Sequence, residues 1–295
     1  TLSKAAGLVA ESRPELIDCG DGVRLLGYLS RVPEPRGLVV LLHGWEGSAD
    51  SSYVLSAGSA LREAGFSVFR LNFRDHGQTQ ALNPELFHSC RIDEVFAAVA
   101  RIRQSHPEGG FAIVGQSLGG NFAIRVALRA PEVGLEIDRV IAVCPVLRPH
   151  STIEALDRGL WIYQRYFLSR WRRSLRDKAK AFPDLYRFGD LRRFPTLTAT
   201  TDFFVRHYTE FETLDDYLNG YALTGGVLSN LTVPTRMILA ADDPVIPIAD
   251  IDDIARPPAL EIETSAYGGH CGFVDAWVRP AWIDRAIVAD LDRTI

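Results

Sequence analysis

A serine at position 117 lies in a G-x-S-x-G motif that spans residues 115–119. An apolar run at 111–114 precedes the motif, and a helix-compatible stretch follows it at 121–130. A strand that turns this sharply into a helix needs small residues two positions on either side of the serine, because the chain folds back on itself there. The turn lifts the hydroxyl clear of the sheet, at a helix N-terminus that favours developing negative charge. The pattern therefore predicts an exposed nucleophile at Ser117, as against a glycine-rich turn in which the serine is incidental.

A histidine and a pair of aspartates that suit such a nucleophile lie further along the chain. A serine hydroxyl becomes a strong nucleophile only when a base takes its proton, and a third group must orient that base. His270, in a Gly-Gly-His-Cys-Gly loop after the last predicted strand, is the candidate base; the alternative is a structural role, such as capping the last helix. In the turn after the preceding strand, Asp243 is favoured over Asp242 because Pro244 fixes the turn that presents it. Asp242 would then hold the loop through local hydrogen bonds.

Two backbone N–H groups are candidates for binding the oxyanion of acyl transfer. Leu118 directly follows the nucleophile, and Trp45 lies in a His-Gly-Trp-Glu-Gly segment after an early apolar run. Donors that are in place before the charge develops stabilise the transition state by about 3 kcal/mol each. We expect the N–H groups of Leu118 and Trp45 to form this oxyanion hole, and His43 to brace the loop without acting as a base. The alternative for this segment is simply a tight exit from the strand.

Apolar runs and helix-compatible stretches alternate along most of the chain. Residues 15–19 and 23–31, on either side of a Gly-Asp-Gly turn, predict an opening hairpin. Continuous apolar runs are typical of parallel strands that are covered on both faces. The βαβα order therefore predicts an α/β fold, a mostly parallel sheet with right-handed crossovers and helices on both faces. The other predicted strands are 38–42, 67–71, 111–114, 140–144, 236–240 and 260–263, and the predicted helices are 53–64, 92–103, 121–130 and 282–291.

The alternation is interrupted once, between residues 147 and 231, which predicts a helical cap insertion within a single domain of residues 1–295. Residues 158–194 of this insertion hold nine arginines and two lysines against three aspartates, a local charge of +8, and acidic residues follow them. The two parts either neutralise each other or form a surface that attracts anionic lipid or acidic substrates. We expect arginines of 165–176 on the outer side of the cap. The residues expected on its apolar inner face are Trp161, Tyr166, Phe167 and Trp171, with Leu160 and Leu168 beside them.

Composition and charge favour a cytoplasmic enzyme that acts on small molecules. The chain has 295 residues, of which 47% are hydrophobic and 23% charged, and its net charge of −5 argues against nucleic-acid binding. No apolar run is long enough to span a membrane, and the start lacks the apolar core of a signal peptide, although the chain does not begin with methionine. Four scattered cysteines predict reduced thiols and argue against a four-cysteine zinc site. The sequence has no phosphate-binding or dinucleotide-binding glycine motif.

Together these residues resemble the α/β-hydrolase superfamily, in which the triad follows in the order serine, acid, histidine. The finer pattern resembles one branch, the YheT family of bacterial hydrolases and the mammalian ABHD1/ABHD3 phospholipase-like proteins. The resemblance covers roughly residues 20–290. The loop at 72–77 departs from it, because Asp75 and His76 are bulkier and more polar than the residues usual there, which would alter the acyl pocket. The matching segments are 43–48, 52–53, 86–89, 114–121, 242–244 and 268–273, with 166–168, 172–175, 182–185 and 215–217 in the insertion.

The resemblance implies an α/β-hydrolase fold with a helical cap and a serine hydrolase that cleaves carboxylic esters, with lipid-like esters as candidate substrates. Ser117 would attack the carbonyl carbon, His270 would take and return the proton, and Asp243 would orient the histidine until water clears the acyl-enzyme. Neither a metal nor an organic cofactor is implied. The alternatives are an acyltransferase that uses an alcohol acceptor and a non-catalytic binding protein. The expected partners are a small-molecule ester and, weakly, an anionic membrane that touches the basic cap.

Overall fold

The computed structural model of the chain describes residues 2–275 and 281–295. Eight strands form one sheet: β1 (Arg13–Asp18), β2 (Arg24–Ser30), β3 (Gly37–Leu42), β4 (Ser67–Leu71), β5 (Gly110–Gln116), β6 (Arg139–Val143), β7 (Thr235–Ala240) and β8 (Leu260–Ser265). Their order across the sheet is β1-β2-β4-β3-β5-β6-β7-β8. β2 is antiparallel to both β1 and β4, and the other neighbouring pairs are parallel. The predicted hairpin and mostly parallel sheet are confirmed.

The central strands are buried on both faces of the sheet. Every residue of β3, β4 and β6 is buried, and most of these residues are β-branched or otherwise apolar. Such side chains fit a pleated surface that is covered on both sides, which explains why these strands appear in the sequence as continuous apolar runs. β1 lies at the edge of the sheet and is mostly exposed.

The helices are α1 (Leu2–Ala10), α2 (Ser52–Glu63), α3 (Ile92–Ser105), α4 (Leu118–Arg129), α5 (Pro149–Arg158), α6 (Trp161–Ala181), α7 (Leu197–Tyr208), α8 (Leu214–Asn219) and α9 (Trp282–Thr294). α2 packs against α1 and α9, and α3 packs against α4. The crossover that contains α2 runs from β3 to β4, toward the β1 edge of the sheet, whereas the crossovers that contain α3 and α4 run toward the β8 edge. Since such crossovers are right-handed, α2 lies on one face of the sheet and α3 and α4 lie on the other. Among the residues described, none of the helices contains an apolar stretch of the length that a membrane span requires.

The segment between β6 and β7, called the cap below, contains α5 to α8. Its helices pack on one another and enclose small apolar clusters around Phe204 and Tyr217. α6 is also tied to the sheet domain: the Lys178 ammonium, 1% exposed, donates to Asp75 Oδ1 at 2.7 Å. The Arg170 guanidinium donates to the Glu46 carbonyl at 2.9 Å. These two contacts hold α6 over the carboxyl ends of the parallel strands.

Candidate active site

Ser117 lies at the turn from β5 into α4 with a backbone that few non-glycine residues adopt. Its φ is +55° and its ψ is −121°, a conformation that costs on the order of 1–3 kcal/mol. The surrounding hydrogen bonds hold it there, because the Ser117 N–H donates to Val143 O at 2.8 Å and the Asn121 N–H donates to Ser117 O at 3.1 Å. The strained turn therefore points the hydroxyl away from the strand and toward the two cavities described below.

The glycines on either side of Ser117 are required by close backbone contacts. A Cβ on Gly115 would lie 2.1 Å from the Gly119 carbonyl oxygen. A Cβ on Gly119 would lie 2.2 Å from Leu42 O and 2.5 Å from His43 O. The local structure therefore explains the spacing of the G-x-S-x-G motif, since the start of α4 packs too closely on β5 at Gly115, and on the end of β3 at Gly119, for any other side chain.

His270 and Asp243 complete a hydrogen-bonded chain to Ser117. His270 Nε2 is 3.0 Å from Ser117 Oγ, and His270 Nδ1 is 2.9 Å from Asp243 Oδ2. A carboxylate only accepts hydrogen bonds, so Nδ1 carries the proton and Nε2 is free to accept the serine proton. The Asp243 carboxylate is 1% exposed and also accepts from the N–H groups of Val245 and Ile246, at 2.8 and 3.0 Å. These bonds fix the carboxylate against the imidazole.

The neighbouring Asp242 has a different role in the structure. Its Oδ1 accepts from the N–H groups of Gly268 and Gly269, both at 2.8 Å. Asp242 therefore holds the loop that carries His270, whereas Asp243 contacts the histidine itself. The structure brings together Ser117, Asp243 and His270, from three separate loops at the carboxyl ends of β5, β7 and β8.

The loop after β3 forms a tight turn beside Ser117. The Gly47 N–H donates to Gly44 O at 2.9 Å, and Glu46 takes a positive φ of 56°. A Cβ on Gly44 would lie 3.2 Å from the Ser117 Cβ, so this turn passes directly over the serine. The Trp45 ring stacks on Phe167 of the cap, with ring centroids 5.4 Å apart. Leu118, the other expected oxyanion donor, is the first residue of α4, where a backbone N–H has no acceptor within the helix.

Two buried histidines hold the loop after β3 in place through hydrogen bonds to its backbone. His43 donates from Nδ1 to Gly44 O at 2.7 Å and accepts the Phe73 N–H at Nε2. His76 donates from Nδ1 to Arg74 O and accepts the Glu46 N–H at Nε2. In both rings one nitrogen donates and the other accepts, which requires the neutral form. Burial lowers the pKa of His43 well below its usual value and the pKa of His76 to about 4.

The depressed pKa of His76 predicts an acid-dependent loss of stability. Because an unfolded histidine titrates near pH 6.5, the unfolded chain binds one more proton than the folded protein between about pH 6.5 and 4. The free energy of unfolding therefore falls as the pH falls through this window. We expect His76→Gln to flatten that fall by about 1 kcal/mol per pH unit on average, measured by urea unfolding between pH 5 and 6.5, because the unfolded histidine is only half protonated at the upper end of this range.

The matched control for this measurement is His207→Gln, which removes an exposed histidine of the cap. The difference between the variants in the slope of unfolding free energy against pH reports His76 alone. Buried carboxyls have the opposite effect on this slope, but they are present in every variant and cancel in the difference. A His76→Gln protein with the wild-type slope would contradict the neutral, buried state of His76.

Ser117 lies where two cavities meet. The first, of about 130 Å³, extends under the cap and is lined by Ser117, Leu118 and mainly apolar cap residues. The second, of about 880 Å³, lies between the Trp45 loop, the first turns of α6 and the His270 loop. His270 lines the second cavity and not the first. The site can therefore hold two groups, one on each side of an atom positioned at Ser117 Oγ.

Three polar residues that line these cavities were not predicted as site residues: Glu46, Asp75 and Lys178. Of the three, only Asp75 was expected to affect the acyl pocket. Glu46 lines both cavities, and burial raises the pKa of its carboxyl to about 8, against the opposing effect of Arg170. Asp75 lines the first cavity together with His76, and the Lys178 ammonium neutralises it. A signal for Lys178 was available, since it continues the buried stripe of Leu168 and Leu175 along α6.

The prediction for the inner face of the cap is partly wrong. Phe167 and Trp171 do face inward and contact the Trp45 ring. Leu160, Trp161 and Tyr166 are exposed instead, by 61%, 69% and 52%. Tyr166 lies on the side of α6 opposite Leu168 and Leu175. Leu160 and Trp161 lie instead at the N-terminal end of the helix, two turns before Leu168. Among the described residues, no group of three histidine, cysteine or carboxylate side chains is arranged to hold a metal ion.

Comparison with known proteins places this geometry in a family. The family model of the alpha/beta hydrolase fold matches residues 37–276. YheT of Escherichia coli (strain K12) is 25% identical over 247 residues, which are 80% of this chain and 70% of that protein. The phospholipase ABHD3 of Mus musculus is 23% identical over 260 residues, 85% of this chain but only 62% of that protein.

Solved structures share the fold at lower sequence identity. The esterase Pf2001 of Pyrococcus furiosus superposes with a TM-score of 0.62 at 17% identity, covering 98% of this chain and 95% of that one. Est1E of Butyrivibrio proteoclasticus, with ferulic acid bound, gives a TM-score of 0.61 at 16% identity, covering 95% and 98%. The chain therefore belongs to the alpha/beta hydrolase fold family, in the branch that contains YheT and ABHD3.

Proposed function

We propose that the protein is a serine hydrolase that cleaves carboxylic esters through an acyl-enzyme intermediate. The observation that carries this proposal is the hydrogen-bonded chain from Asp243 through His270 to Ser117. The names of the phospholipase ABHD3 and of the esterase Pf2001 agree with this class of reaction. A hydroxyl, a base and a buried carboxylate in this order are the groups that nucleophilic acyl transfer requires.

In the first half of the reaction, Ser117 Oγ attacks the carbonyl carbon while His270 Nε2 takes the hydroxyl proton. The Asp243 carboxylate stabilises the imidazolium that forms, and the N–H groups of Leu118 and Trp45 bind the oxyanion. His270 then gives the proton to the departing alcohol, which leaves the acyl group on Ser117. In the second half, water attacks the acyl carbon while His270 Nε2 takes its proton, and His270 then returns that proton to Ser117 Oγ as the acid leaves.

The two cavities suggest how an ester binds. His270 must protonate the leaving alcohol, so we assign the alcohol part to the second cavity, which His270 lines. The acyl part then occupies the first cavity, under the cap. A cavity of about 150 Å³ holds one benzene molecule, so 130 Å³ suits an acyl group of about six non-hydrogen atoms. The larger second cavity leaves room for a lipid-like alcohol part.

A panel of p-nitrophenyl esters from acetate to palmitate tests this proposal. We expect kcat/KM to be highest near hexanoate and to fall for chains beyond about eight carbons, because such chains exceed the volume of the first cavity. Repeating the assay with glycerol shows whether an alcohol can replace water. The proposal fails if no ester in the panel is cleaved by pure, folded protein.

We also propose that the cap makes weak contact with anionic membranes. Trp161 and Ile162 are the first residues of α6, and Leu160 directly precedes them. All three are 58–69% exposed, and Ile162 lines the second cavity. The exposed side chains of Arg165 and Arg173 follow on the same helix. Aromatic residues next to arginines suit the headgroup region, where each basic residue contributes about 1 kcal/mol. This arrangement would place the mouth of the alcohol cavity at the lipid surface.

Co-sedimentation with liposomes of graded anionic lipid content tests this contact at low and at physiological salt. We expect binding to rise with anionic lipid, to weaken with salt, and to fall when Arg165 and Arg173 both become glutamate. Arg101→Glu, at an exposed position of α3, is the matched control. The absence of binding at low salt, or equal binding by the double variant, would leave the arginines without this role.

A further inference from the structure

Two polar side chains in the wall of the first cavity have no hydrogen-bond partner among the described residues. They are His88, at both ring nitrogens, and Thr152, at Oγ1. His88 is 7% exposed and Thr152 is 9% exposed. Both line the cavity that contains Ser117. Buried polar atoms are almost always paired in folded proteins, because an unpaired group loses its hydrogen bonds to water and gains nothing in return.

The other two threonines that line this cavity differ from Thr152. Thr201 Oγ1 donates to Leu197 O at 2.8 Å, and Thr209 Oγ1 donates to Val205 O at 2.7 Å, so both are satisfied by their own helix. The Thr152 hydroxyl makes no such bond to the preceding turn of α5. It is therefore available to a group inside the cavity.

The surroundings of His88 fix both its position and its charge. Its ring packs edge-on against Phe211 and Tyr217, with centroid distances of 5.9 and 6.3 Å. Burial, together with the nearby Arg91, Arg74 and Arg125, lowers the pKa of His88 to about 3. The ring is therefore neutral at physiological pH and offers one donor and one acceptor.

Charged groups near His88 also limit what it can bind. The Glu210 carboxylate, 66% exposed, lies 3.4 Å from His88 Nε2 without hydrogen-bond geometry. A negatively charged ligand would meet this carboxylate and would lose its hydration in a mostly apolar cavity. A neutral hydroxyl both donates and accepts, which matches a neutral imidazole and a threonine hydroxyl.

We propose that His88 and Thr152 form a subsite that hydrogen-bonds a hydroxyl group on the acyl chain, so that the preferred substrates are esters of short hydroxyacyl groups. This inference rests on the proposed function, in which the acyl part occupies the first cavity. An unsubstituted acyl chain of the same length would leave both side chains unpaired. A site built for a hydroxyl discriminates against the analogue that lacks it for this reason.

The test compares kcat/KM for the ethyl esters of hexanoic, 3-hydroxyhexanoic and 6-hydroxyhexanoic acid, followed by acid release in a pH-stat. We expect wild-type protein to prefer the better hydroxy ester over the hexanoate by about tenfold, the contribution of about one hydrogen bond. Thr152→Val, which keeps the shape of the side chain, is expected to remove most of this preference. His88→Leu is expected to do the same, and Thr201→Val, in the same cavity, should keep the wild-type ratio.

The outcomes separate this inference from the proposed function. A ratio at or below one in wild-type protein, or a ratio that Thr152→Val and His88→Leu both leave unchanged, overturns the hydroxyl subsite while ester hydrolysis stands. If none of the three esters and no p-nitrophenyl ester is cleaved, the proposed function fails and the subsite with it. Because the readout is a ratio within one variant, a general loss of activity does not imitate the expected result.

Discussion

Replacement of Ser117 by alanine is expected to abolish ester hydrolysis and lower kcat by about five to six orders of magnitude. Ser117 Oγ is the atom 3.0 Å from His270 Nε2, and without it the base has no nucleophile to activate. Loss of the nucleophile costs about as much as loss of the whole triad, because the three groups act as one unit. Alanine retains the Cβ, so the turn between β5 and α4 is expected to persist.

Initial rates on p-nitrophenyl hexanoate, with thermal unfolding curves to show that the variant is folded, measure this effect. Ser59→Ala is the matched control, because Ser59 lies on α2 and its hydroxyl donates only to Leu55 O. Near-wild-type turnover by folded, pure Ser117→Ala protein would rule out the serine mechanism.

The second large effect is expected at Asp243. Asp243→Asn would place an amide where the carboxylate accepts from His270 Nδ1, so the histidine would favour the wrong tautomer and lose its stabilised imidazolium. A change of this kind lowers kcat by about 10⁴-fold in a serine triad. The prediction assumes that Asp243 stays buried, and its bonds to the N–H groups of Val245 and Ile246 support this.

Asp242→Asn is the matched comparison, one residue away. Its side-chain oxygen can still accept from Gly268 and Gly269, so we expect less than a tenfold loss. Parallel kcat measurements on the two variants decide the assignment. If Asp242→Asn proves the more damaging change, the two aspartates must exchange roles, although a serine–histidine mechanism would remain.

The sheet and the neighbourhood of Ser117 were predictable because local sequence determines them. The strand predicted at 67–71 matches β4, and the helix predicted at 92–103 ends two residues short of α3. Such elements contain apolar runs or helical apolar stripes that are long enough to be recognised from the local sequence alone. The helix α1 was missed, because nine residues form a marginal helix alone and this one is stabilised by packing of the buried Leu8 against Gly58 of α2.

The interior of the cap was less predictable because contacts distant in sequence decide it. Trp161 was expected inside and is exposed, because it is the first residue of α6 and lies two turns before Leu168, the first buried residue of that helix. The partner of Lys178 is Asp75, which is 103 positions away. His88 and Thr152 likewise come from separate segments, and nothing in either segment alone shows that both side chains face one cavity.

Labelling with a fluorophosphonate probe, followed by peptide mass spectrometry, tests the central claim most directly. Such probes phosphonylate a serine hydroxyl that an adjacent base has activated. The account predicts one adduct per chain on the peptide that contains Ser117, formed in step with the loss of ester hydrolysis and absent from Ser117→Ala protein. An adduct on another residue, or an active enzyme that takes up no probe, would contradict it.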